Sequence, residues 1–121
     1  NIIGERKFNQ KKLKMSLNIS GIKDLFQKNI DYQNIKLGGN AINLSGGQKQ
    51  MINICKTLYQ DKNILILDEP TSYLSEAASK NLIISLNKIK KNKIIIICSH
   101  NKNLFQYFDE MININEYSNA S

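Results

Sequence analysis

The 121 residues include two cysteines, one histidine, one proline and one arginine. Each scarcity removes a class of structure or function. Cys55 and Cys98 form no Cys-x-x-Cys pair and His100 stands alone, so no clustered Cys/His metal site is completed. Both thiols lie in apolar stretches, which predicts buried, free cysteines in a reducing compartment. No apolar run approaches the roughly 20 residues that span a bilayer; the longest, around Ile94 to Cys98, has strand length. Residues 1–7 lack the regions of a signal peptide and contain no initiator Met, so the reading is of a start inside a longer polypeptide. Every basic residue except Arg6 is a lysine, scattered among Asn and Ile. The net charge of +7 therefore reads as a solvated basic surface, with a real footprint for nucleic acid or anionic lipid as the open alternative. No internal repeat or low-complexity segment is apparent.

What is present suffices for one small globular domain, since 41% of the residues are hydrophobic. Residues 9–30 read as a small helical layer, with Leu13 and Leu17 in one segment, Ile22, Leu25 and Phe26 in the next, and Gly21 between. Gly38, Gly39 and Asn40 then interrupt regular structure and predict a loop leading to Leu44. Ser45 followed by Gln48 fits a capping box, and Met51, Ile54, Cys55 and Leu58 recur at helical spacing, so a helix is expected from Gly46 to Tyr59.

Ile64 to Leu67 is a continuous aliphatic run, expected to be a strand buried on both faces, and Pro70 forces a turn after Asp68 and Glu69. Ser75 can cap a further helix whose apolar face is Ala78, Leu82, Leu86 and Ile89. A basic turn over residues 90–93 precedes a second buried strand, Ile94 to Cys98, with His100 just beyond it. A short helix near Leu104 to Phe108 and a weak final strand from Met111 to Ile114 complete the expectation. Strands alternating with helices argue for a parallel α/β sheet, whose ligands bind outside the carboxyl ends of the strands, where Asp68, Glu69 and His100 fall.

Three groups of residues can carry chemistry. Leu44-Ser45-Gly46-Gly47-Gln48 sets a hydroxyl and two glycines at a helix start, where free N–H groups and the positive dipole end favour a phosphate. Taken alone, the same residues also describe an ordinary capped helix. Asp68 can hold Mg²⁺ through water while Glu69 polarises an attacking water, although aliphatic strands ending in acids are common. His100 can reach a terminal phosphate or that water from the neighbouring strand end, although a lone histidine there is often only an exposed side chain.

In order and spacing these groups resemble ATP-binding-cassette (ABC) ATPases. Leu44 to Gln48 is similar to their signature, Ile64 to Glu69 to their Walker B strand with its catalytic glutamate, and His100 to their switch histidine. Gln48-Lys49-Gln50, Thr57-Leu58, Pro70-Thr71-Ser72 and Asp109 also resemble the family, so the likeness covers nearly the whole chain, and the region before the signature looks exporter-like. The resemblance implies an α/β, partial P-loop NTPase fold with mainly parallel strands and a small helical subdomain. Residues 1–43 would form that subdomain and a loop, and residues 44–121 the signature helix, the two motif strands and the end of the domain.

It further implies ATP and Mg²⁺ as cofactors, bound between two ATPase domains in a head-to-tail dimer at the cytoplasmic face of a membrane transporter. Leu44, Ser45, Gly46, Gly47 and Gln48 would contact ATP held by the partner. Glu69 and His100 would be catalytic and Asp68 metal-binding for the chain's own nucleotide, with Ser72, Leu74 and Ser75 in the dimer communication loop. The other partners implied are transmembrane domains; nucleic acid is not expected, and this chain supplies no membrane span.

Departures from the family qualify this expectation. No Gly-x-x-x-x-Gly-Lys-Ser/Thr occurs in these residues, so the backbone cradle and lysine that grip β- and γ-phosphates are absent from them and hydrolysis by this chain alone is expected to fail. An incomplete sheet with an unpaired hydrophobic edge would favour aggregation. Ser75 replaces a usual aspartate, Met51 and Lys56 stand where arginines are common, and Lys36 occupies the place of an exporter glutamate, which puts communication across the dimer in doubt more than the chemistry at Glu69. Two other readings stay open. One is the C-terminal ATPase lobe of a chromosome-maintenance or DNA-repair protein, favoured by the charge but opposed by the lack of sustained heptads in residues 9–43. The other is a non-catalytic module that donates only a signature face.

Overall fold

The computed structural model describes residues 7–25 and 45–114. The first helix, α1 (Gln10–Ile19), is capped by Asn9, whose side chain accepts the Lys12 N–H at 3.0 Å. It ends at Gly21, whose φ of +73° is accessible to glycine at little cost, and a 3-10 turn over Ile22–Leu25 follows. The second helix, α2 (Gly46–Tyr59), begins at the expected capping box: the Gln48 N–H donates to the Ser45 hydroxyl at 3.2 Å and the Ser45 N–H to the Gln48 side chain at 2.9 Å. The strands β1 (Ile64–Asp68) and β2 (Ile94–Cys98) flank α3 (Glu76–Asn87), whose N-cap is Ser75. Two 3-10 segments, Lys90–Asn92 and Lys102–Tyr107, precede and follow β2.

The strands pair in parallel, with Ile64 opposite Ile94 and Asp68 opposite Cys98. Parallel neighbours need a long crossover, which α3 supplies. The apolar faces of α2 and α3 meet the sheet in one cluster containing Ile54, Leu58, Leu65, Leu67, Leu82, Ile83, Leu86 and Leu104, with Ile95 and Ile97 packed against it. A second cluster joins α1 to α2 through Leu13, Leu17, Ile22, Ile52, Cys55 and Tyr59. Polar ties reinforce this junction. The Tyr59 hydroxyl accepts the Asn9 N–H at 2.9 Å, and Asp61 pairs with Lys12 at 2.8 Å and Lys93 at 2.7 Å. Those two lysines hold the Asp61 carboxyl below its usual range, Lys12 contributing most.

Several expectations are corrected here. The α/β class with mainly parallel strands does not hold, because helix dominates the described residues and the sheet is an open pair of strands of five residues each. Most of the apolar residues are spent on helix faces, and the pair of strands carries only a short stretch of them. Nor are the strands buried on both faces. Leu65 and Leu67 point into the core, while Ile64, Ile66, Ile94 and Ile96 are exposed, since the helices that cover the sheet all lie on one side. Cys98 shares the uncovered face and is exposed, whereas Cys55 is buried and its thiol is pushed up to about 11 by that burial, against a smaller opposing pull from Ser20. The expected final strand at Met111 to Ile114 does not form; Met111, Ile112 and Ile114 are exposed and pair with neither strand. On α3 the buried face runs through Ser79, Leu82, Ile83 and Leu86, so Ala78 is displaced from it by Ser79. The expected loop at 34–43 and Phe26 lie outside the described residues.

Candidate functional site

The carboxyl ends of β1 and β2 are adjacent because the strands are parallel and in register, and this brings the sequence-predicted acids and histidine together. The Glu69 N–H continues the ladder by donating to the Cys98 carbonyl at 2.9 Å, after which the backbone turns with φ +43° at Glu69. A non-glycine residue in the left-handed region is unusual and is maintained only where its surroundings hold it. Here the Glu69 carbonyl accepts the Gln50 side-chain amide at 3.1 Å, the Ser72 hydroxyl at 3.0 Å and the Ser72 N–H at 3.2 Å. The chain is thus reversed toward Pro70, and the carboxylate is turned to His100.

Glu69 Oε1 lies 2.7 Å from His100 Nδ1 and also accepts the His100 backbone N–H at 3.2 Å. The imidazole is 84% exposed and the glutamate side chain 37%, so solvent or a ligand reaches the pair. With Nδ1 engaged by the carboxylate, the other ring nitrogen is left for a further partner. Both residues line an open cleft of about 500 Å³ together with Thr71, Ser72, Leu74, Asn101, Lys102 and Asn103. Asp68 ends β1 on the exposed face, beside Glu69. Mg²⁺ takes one or two carboxylates together with water and phosphate oxygens, so these donors fit that ion. No group of three or more His, Cys, Asp or Glu able to hold a metal occurs among the described residues.

Ser45 and Gly46 are exposed at the start of α2, with Gly47 and Gln48 half-buried behind them. Leu44 lies outside the described residues. The glycines answer to a packing demand as well as to any ligand. A Cβ on Gly47 would come within 2.7 Å of the Tyr73 carbonyl oxygen, and one on Gly46 within 3.0 Å of the Tyr73 ring. The loop carrying Ser72 and Leu74 therefore abuts the start of α2. Ser75 is engaged as the N-cap of α3, accepting the Ala78 N–H at 3.3 Å.

The sequence assigns no role to Tyr73 or the cleft-lining segment 101–103, and Gln50 figures in it only within Gln48-Lys49-Gln50 as a likeness to the family. For segment 101–103 a signal existed: Asn101 caps the 3-10 segment by accepting the Asn103 N–H at 3.2 Å, and Asn is a favoured cap residue. Nothing local marks the contact of Tyr73 with residues more than twenty positions away.

Residues 6–72 match the family described as ABC transporter. The chain belongs to the ABC transporter family. It is 37% identical over 83 residues to the ATP-dependent lipid A-core flippase 2 of Colwellia psychrerythraea, an alignment covering 69% of this chain and 14% of that protein. It is 30% identical over 112 residues to the ATP-dependent lipid A-core flippase of Aliivibrio fischeri, covering 93% of this chain and 19% of that protein. This ABC transporter chain thus spans less than a fifth of the length of these relatives. Its fold is similar to that of a bacterial Atm1-family ABC exporter solved with ATP bound, with a TM-score of 0.70 at 21% identity, covering 83% of this chain and 18% of the exporter. The family identity carries nucleotide binding and the P-loop NTPase class. No helix among the described residues of the ABC transporter chain is long and apolar enough to cross a membrane.

Proposed function

We propose that this chain is the C-terminal portion of an ABC transporter nucleotide-binding domain, of the exporter type, that couples ATP binding and hydrolysis to transport across a membrane. Residues 1–43 form its helical subdomain and the loop to the signature; residues 44–121 carry the signature helix, the Walker B strand and the switch-histidine strand. The observation that carries the reading is the 2.7 Å contact between Glu69 and His100 at the mouth of a cleft, one residue beyond Asp68.

In this reading Glu69 accepts the proton of the attacking water. A base must lie within hydrogen-bond reach of the proton it takes, and the exposed edge of the carboxylate opens to the cleft. His100 orients that carboxylate through Nδ1 and presents its other nitrogen to the terminal phosphate. Asp68 would hold Mg²⁺ through water, and the ion would supply positive charge that offsets the charge of the phosphate oxygens. Leu44 to Gln48 contribute backbone N–H groups and the Ser45 hydroxyl to ATP bound by a second ATPase domain in a head-to-tail dimer. Ser72, Leu74 and Ser75 lie along the communication path between the two sites. The grip on β- and γ-phosphates comes from a phosphate-binding loop outside these 121 residues, so the chain alone does not turn over ATP. The domain works at the cytoplasmic face, against transmembrane domains.

The test is Glu69→Gln in the full-length polypeptide that contains this chain. ATP affinity is expected to persist while turnover falls by about 10²- to 10⁴-fold, the usual share of a general base. Unchanged turnover would sink the assignment.

A further inference from the structure

Glu69 is held in a backbone conformation that its own side chain does not favour, and one of the groups that hold it comes from another element. Its φ is +43°, and its carbonyl receives three hydrogen bonds. Two come from Ser72, three residues on, within the same turn. The third comes from the side-chain amide of Gln50, nineteen residues away on the second turn of α2, at 3.1 Å. Gln50 is half-buried and sits between the glycine-lined start of α2 and the end of β1. The same two segments meet again where Gly46 and Gly47 leave room for Tyr73. The α2 start and the 69–74 loop are therefore fastened together at both ends of the loop.

We propose that Gln50 is a positioning residue for hydrolysis: by holding the Glu69 carbonyl it fixes the peptide orientation that aims the Glu69 carboxylate at His100. The inference rests on the assignment of Glu69 as the base. Without the Gln50 amide the carbonyl keeps only the bonds from Ser72, both inside the turn, and the peptide plane can rotate with that turn. The carboxylate then leaves the 2.7 Å contact with His100. Gln50 is not itself among the residues that line the cleft and reaches it only through the Glu69 carbonyl, so its loss is expected to act on the orientation of the base and to leave nucleotide binding largely unchanged. It also ties the base of one nucleotide site to the helix whose start, in the proposed dimer, serves the other.

The experiment is steady-state ATP hydrolysis by the full-length polypeptide with Gln50→Met, which keeps length and removes the donor. The expected result is a kcat lower by about tenfold or more with KM for ATP within about twofold, since small misplacements of catalytic groups are costly. Gln50→Glu, close in shape but without a donor when ionised, carries the same expectation and serves if the Met variant fails to fold. Gln50→Lys restores an N–H donor of similar reach and is expected to recover most of kcat. ATP affinity measured on each sample reports that the domain is folded. Wild-type kcat in both donor-less variants, or a loss confined to KM, would overturn the proposal, as would an equal loss in the Lys variant. Glu69→Gln separates the two levels. If it leaves turnover intact, the parent reading fails; if it abolishes turnover while Gln50→Met does not reduce it, only the role of Gln50 fails.

Discussion

The two faces of the β1–β2 pair are built from almost the same side chains and meet different surroundings. Leu65 and Leu67 are 2% and 6% exposed beneath α2 and α3, while Ile66, between them, is 65% exposed. On β2, Ile95 and Ile97 pack on the core and Ile94 and Ile96 do not. Hydrophobicity thus does not decide burial at these positions; the side on which the crossover helix lies does. The bare side is a contiguous apolar patch of the kind that marks a contact surface or an aggregation hazard. The sequence predicts an unpaired hydrophobic edge, and the structure adds an uncovered face to it.

The sharpest way to break this comparison is paired truncation. Leu65→Ala is expected to destabilise the chain by about 2–5 kcal/mol, as buried leucines do, whereas Ile66→Ala is expected to cost about 0.5 kcal/mol or less. Chemical denaturation of the two variants measures both. Equal losses would mean that the uncovered face is covered in solution.

A second contrast lies in the thiols, one in each environment. Cys98 is expected to react readily with a disulfide reagent at pH 8 and Cys55 to resist until the protein unfolds. Burial raises the Cys55 thiol from 9.0 to about 11, and two units correspond to about a hundredfold less thiolate, before its inaccessibility is counted. The raised value favours the protonated thiol in the folded state and so contributes to stability. The contribution is fully present below the thiol's unfolded value and is lost as pH rises through about 11, so alkaline unfolding should begin earlier than in Cys55→Ser. Equal labelling rates at the two cysteines would refute the burial of Cys55 against the exposure of Cys98.

A modest effect is expected at the polar ties beside the junction of α1 and α2. Asp61→Asn removes the pairing with Lys12 and Lys93, and as a partly exposed pair it should cost no more than about 1 kcal/mol. Because the carboxyl is held below its usual range, that contribution is present above the unfolded carboxylate value and is lost as pH falls through the lower folded one. Melting temperatures of Asp61→Asn and the parent should therefore converge at acid pH; a difference that persists there would point to another cause.

How much of this was legible in sequence depended on the range of the interaction. The capping box at Ser45 and Gln48 and the cap at Ser75 are local, and they placed the starts of α2 and α3 correctly. The run Ile64 to Leu67 located β1 to within one residue but carried no alternation, so nothing in it told which face would be covered. Ile112-Asn113-Ile114 does alternate, yet no strand forms there, because strand pairing depends on a neighbour the pattern cannot name. At the site, Glu69 and His100 were foreseeable as neighbours from their places after two parallel strands. The Gln50 amide on the Glu69 carbonyl and the fit of Tyr73 against Gly47 were not, since each joins residues about twenty or more positions apart without a shared periodicity.

The register of the two strands has a consequence for how accurately the site is made. Side chains alternate along a strand, so sliding β1 by one residue would turn Leu65 and Leu67 out of the core and shift Glu69 by about 3.3 Å along His100's strand. That displacement exceeds the whole 2.7 Å separation of the pair. The leucines under the helices, which touch no reacting atom, therefore act as the gauge against which the carboxylate and the imidazole are set.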